Sequence, residues 1–137
     1  MAAALQAVDG VALKATVDRW AAAEGEVRPL VYEAAHALRW IEIGLASFLS
    51  VLSGLTLIAF GLATLVSARY PAWLGAVGVV VGLGMSAAGA VQAKVGFSGA
   101  AMALSMASCS AFLLWTTLAG VAMWRWASRP DSDSDTV

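Results

Sequence analysis

Between Ile43 and Trp124 the chain carries only two charges, Arg69 and Lys94, and both fall where turns between membrane spans belong. They separate three uncharged runs, 43–68, 70–93 and 95–124. Each run exceeds the ~20 apolar residues an α-helix needs to cross a ~30 Å hydrocarbon layer. In lipid every backbone N–H and C=O must be paired within the protein, so spanning segments are helices or the strands of a closed barrel. Barrel strands alternate apolar and polar residues over ~10 positions. These runs are continuously apolar, which leaves helices. The expected fold is therefore all-α, an integral membrane helical bundle. It has three transmembrane helices, at about 41–67, 72–93 and 98–124, and one amphipathic helix before them.

Composition agrees. Charged residues make up 12% of the chain and hydrophobic residues 61%, against roughly 25% charged in a soluble domain. With a net charge of −1 and no basic stripe, a nucleic-acid partner is not expected. The single cysteine, Cys109, excludes an internal disulfide and is read as a small buried residue in mid-span.

Three parts are expected: an interfacial segment over 1–28, the bundle over 29–127, and a tail over 128–137. In the first part Leu13, Val17 and Trp20 form one apolar helical stripe, with Lys14 and Asp18 paired four apart off it. This predicts an amphipathic helix over 11–23, lying on the membrane surface or against the bundle, with Gly10 bending or interrupting it. The opening residues lack a basic leader and their apolar run ends at Asp9, so no cleavable signal peptide is expected. Gly25 suits a helix C-terminus and Pro29 the first turn of the next helix, which runs from Leu30 into the first span. Arg69, Tyr70, Pro71 and Trp73 mark the second connection, and Gln92 to Phe97, with Gly96 as its flexible point, the third. Trp40, Trp73, Trp124 and Trp126 sit at the levels expected of interfacial tryptophans. The tail carries Asp131, Asp133 and Asp135 with almost no apolar residues, a composition that predicts disorder.

Small residues recur at helical spacing. Gly75, Gly82 and Gly89 are seven apart, and Gly78 and Gly82 begin a row continued by Ser86 and Ala90. Ser47, Gly54 and Gly61 repeat the theme in the first span, and Gly99, Ala103, Ala107 and Ala111 in the third. Such rows let helix backbones approach closely. Their bland use is to join helices inside one bundle; the alternative is association between chains.

The polar constellation is Glu33, His36, Arg39 and Glu42, in which Glu33 and His36 share a helical face at i, i+3, as do Arg39 and Glu42. Lys94 returns to the same membrane side after two spans and so is able to approach Glu42. At a span's end these read as an interfacial salt-bridge set. Glu33 and His36 resemble half of a carboxylate-bridged metal site, but the spans supply no further carboxylates, so neither metal nor cofactor is expected. No acid–base pair lies in mid-span, so no catalytic residues are assigned and an enzyme is not expected. Ser105, Ser108 and Ser110 are expected to bond back to their helix or across it.

The run Trp40-Ile41-Glu42-Ile43-Gly44, then Tyr70-Pro71-Ala72-Trp73-Leu74-Gly75, Gly96-Phe97 and Trp124-Arg125, resembles uncharacterised multi-pass membrane proteins of actinobacteria, a family named only as a domain of unknown function. The resemblance runs from about Val8 to Ala127. It implies a bacterial plasma membrane and a helical bundle, and brings no catalytic residues. Family members tend to have further spans on the N-terminal side, which implies that this chain is a shortened version. The expected role is a non-enzymatic structural or accessory subunit, packing with itself or with a larger membrane partner through its glycine rows. The alternative is a component of a small-solute or ion pathway with Glu42, His36 and Lys94 at its mouth. Arg125 and Arg129 directly after the last span favour a cytoplasmic C-terminus.

Overall fold

In the computed structural model, which describes residues 2–67 and 69–127, the chain is a succession of helices joined by tight turns. The acidic tail over 128–137 lies outside the described residues. The order is α1 (Ala2–Ala7), a π-helical segment (Val8–Leu13), α2 (Lys14–Ala22), α3 (Val27–Val66), α4 (Ala72–Val95) and α5 (Gly99–Ala127). Helices α3, α4 and α5 are long and apolar enough to cross a membrane.

Gly10 interrupts the α-helical pattern without ending the helix: it lies within the π-helical segment, and helix precedes it from Ala2. The wider π turn absorbs a residue that is poor in an α-helix. The chain then reverses through Gly25, whose φ of 58° is the left-handed conformation that glycine adopts freely. Pro29 occupies the first turn of α3, where its missing N–H costs no helical hydrogen bond. The N-terminal helices fold back on α3 rather than lying apart from it.

Helix α3 has 40 residues and is about 60 Å long, well beyond the hydrocarbon thickness. Helix α4 has 24 residues and is about 36 Å long. Isoleucine 43 of α3 lies beside Gly96 at the end of α4. The first three to four turns of α3 therefore project roughly 20 Å past the α4–α5 turn, flanked by α1 and α2.

Helix α4 is central. In its most apolar stretch 39% is buried, against 17% in α3 and α5. Both neighbours lean on α4 and have no close backbone approach to each other, so the three form an open layer. The α4–α5 turn is shorter than the sequence reading: Gln92 to Val95 stay helical, and only residues 96–98 connect. Gly96, with φ 64°, ends α4 and donates its N–H to Gln92 O at 2.9 Å. Ser98 starts α5 by accepting the Ala101 N–H on Oγ at 3.3 Å.

Candidate functional site

The small-residue rows build the α3–α4 seam. A β-carbon added to Gly82 would lie 2.6 Å from Gly54 O; one on Gly75, 2.6 Å from Gly61 O; one on Gly89, 2.7 Å from Ser47 O. The seven-residue rows Ser47, Gly54, Gly61 and Gly75, Gly82, Gly89 thus meet in antiparallel order, symmetrically about the turn after Ser67. A period of seven keeps both rows facing along helices that pack as in left-handed bundles. Gly78 departs from this seam. Its added β-carbon would meet the Trp115 ring of α5 at 2.8 Å, so the GxxxG divides between two neighbours, Gly82 to α3 and Gly78 to α5. The α5 row differs again: Gly99, Ala103 and Ala107 are exposed and Ala111 half-buried.

Trp115 escaped the sequence reading. Its indole N–H donates to Leu74 O at 2.9 Å while its ring is 8% exposed against Gly78. The available signal was position: Trp115 lies in mid-span, whereas Trp73, Trp124 and Trp126 sit near helix ends. A second α4–α5 bond joins Ser105 Oγ to Gln92 Oε1 at 3.4 Å, with Gln92 buried. Other hydroxyls bond back one turn, as Ser47 to Ile43 O, Thr64 to Phe60 O and Ser86 to Gly82 O do. Cys109 is exposed on the outside of α5 instead of buried.

The polar constellation splits. Glu42 is only 5% exposed, and its Oε2 accepts from Arg39 Nη1 at 2.6 Å. The same guanidinium lies over the Phe97 ring, 4.6 Å from its centroid, and so ties α3 to the α4–α5 turn. Lys94 is exposed and makes no ion pair among the described residues; Arg39 holds the place expected of it, because i, i+3 spacing presents its side chain directly to Glu42. Glu33 is exposed. His36 stands in an aromatic ladder on the projecting part of α3, stacked on Tyr32 at 6.2 Å and edge-on to Trp40 at 6.0 Å. Trp20 of α2 extends this ladder at 6.4 Å from Tyr32, with Arg28 over its ring at 4.8 Å. Among the described residues no three His, Cys, Asp or Glu side chains converge.

The Arg39–Glu42 pair makes an asymmetric prediction. The Arg39 side chain is 45% exposed and can turn to water, whereas that of Glu42 is 6% exposed and cannot. Arg39→Gln should therefore cost about 1–3 kcal/mol, and Glu42→Gln less than about 1 kcal/mol, because only the first strands a buried charge. Denaturant titration in detergent, followed by helicity, checks the order. An equal loss for both would mean that the carboxylate reaches water.

No protein-family model, curated protein or solved structure matches the chain.

Proposed function

We propose that this chain is a non-enzymatic structural or accessory subunit of a bacterial plasma membrane, in keeping with the family resemblance, and that it joins a second copy of itself through α5. The observation that supports this is the division of the small-residue rows. Those of α3 and α4 face each other inside the chain, whereas Gly99, Ala103 and Ala107 of α5 face outward. In lipid, helices associate chiefly by close packing, and an uncommitted small-residue face is the part of the surface that best permits it. Ser110, also exposed, lies on this face, whereas Leu104 lies away from it.

Single cysteines in a Cys109→Ala background test the reading. Ser110→Cys should give an oxidant-dependent dimer in native membranes, and Leu104→Cys should not. Monomer from both, under conditions where the chain is folded and membrane-inserted, would remove the self-association. The burial of Glu42 supports a second reading, a component of a small-solute or ion pathway. In that case Glu42→Gln would abolish flux while the Ser110→Cys dimer persisted.

A further inference from the structure

At the end of the bundle opposite Glu42, a cavity of about 810 Å³ opens between the start of α4 and the end of α5. It is lined by Trp73, Trp124 and Trp126 with Arg125, and by Val121 and Leu118 one and two turns back along α5. Tyr70 packs against Trp126 at 5.1 Å between ring centroids, so aromatic rings from the α3–α4 turn and the end of α5 meet at this level. We propose that this cavity binds an anionic phospholipid, its phosphodiester against Arg125 and the upper part of an acyl chain along Leu118 and Val121.

The order of side chains along α5 carries the argument. Leu118, Val121, Ala122 and Arg125 stand at i, i+3, i+4 and i+7, one stripe that is apolar for two turns and then cationic. That is the polarity of a lipid entered from its tail to its head. Tryptophans sit beside the charge, at the level where indole rings prefer the headgroup boundary. The volume lies within the ~300–1,000 Å³ usual for ligand sites.

Charge selects the headgroup. Every Asp or Glu among the described residues lies at or before Glu42, whereas Arg69 and Arg125 both stand at the cavity end. Arg125 makes no ion pair among the described residues. A phosphodiester with no compensating amine therefore fits better than a zwitterionic head. Asp131, Asp133 and Asp135 follow in sequence, so the test uses the full chain.

The inference rests on the membrane placement of α3 to α5, which is tested separately by flotation with phosphatidylcholine vesicles; a chain that fails to float removes the premise and the proposal with it. The binding test is native mass spectrometry of the detergent-solubilised chain, titrated with phosphatidylglycerol or phosphatidylcholine of the same acyl chains. Phosphatidylglycerol should bind about fivefold more tightly, the preference one arginine near an anionic surface provides. Arg125→Gln should abolish the preference, while Arg19→Gln, an equal charge change on exposed α2, should leave it intact. Equal binding of the two lipids, or equal loss from both variants, would overturn the site. Displacement of phosphatidylglycerol by millimolar inorganic phosphate would overturn the lipid in favour of a free anion.

Discussion

Gly82→Leu is expected to separate α3 from α4 and to cost more than about 3 kcal/mol, beyond the usual range for an overpacked core. The reason is the nature of the neighbours. A β-carbon at position 82 would lie 2.6 Å from Gly54 O and 2.9 Å from Ile58 N, both backbone atoms of α3. No side-chain rotation relieves such a contact, so the helices must move apart along the whole seam. Even Gly82→Ala should lose stability, although alanine is the better helix former by about 1 kcal/mol. Gly44 and Gly120 provide the internal standard, since an added β-carbon meets nothing within 4 Å at either position. Gly44→Ala and Gly120→Ala should therefore be neutral or stabilising by up to about 1 kcal/mol. Unfolding in mixed micelles, read by circular dichroism, separates these classes. If Gly82→Ala matched Gly44→Ala, the seam could not be as tight as its backbone geometry requires.

This seam was readable from the sequence because its chemistry is simple. Glycine at seven-residue intervals has few uses in a lipid-embedded helix, and two such rows on consecutive helices find each other through a short turn. The three spans were readable for a similar reason, since the hydrocarbon layer imposes length and excludes charge. What escaped depended on the angular position of each helix, which apolar periodicity hardly encodes when lipid and protein interior are equally apolar. Gly78 and Gly82 look alike in sequence, yet they serve different neighbours. Cys109 was read as buried and lies exposed, because its run of small residues does not say which side faces α4. Arg39 and Glu42 pair across the i, i+3 face their spacing already gave them, whereas the cross-turn approach of Lys94 could not be weighed until the helical extent of residues 92–95 was known.

Trp115→Ala should release α5 while leaving α3 on α4, with a loss of about 2–4 kcal/mol. The value is set toward the lower end of the usual Trp→Ala range because lipid removes the hydrophobic drive between helices and leaves mainly packing. The ring fills the hollow over Gly78, and its N–H reaches Leu74 O at 2.9 Å near the start of α4. Little else substitutes for it among the described residues, since α5 gains no close backbone support from α3, its other side-chain hydrogen bond to α4, Ser105 to Gln92, is long at 3.4 Å, and Ala101 and Ala119 add only small buried side chains. Trp115→Phe retains a ring over Gly78 and loses only the hydrogen bond, so it should cost about 0.5–1 kcal/mol. Amide exchange in detergent provides the discriminating readout. Protection should fall in α5 for Trp115→Ala and stay unchanged along α3, whereas Gly82→Leu should lower it in both α3 and α4. A uniform loss in Trp115→Ala would mean that the three helices unfold as one cooperative unit, with α5 needed to hold the glycine seam closed.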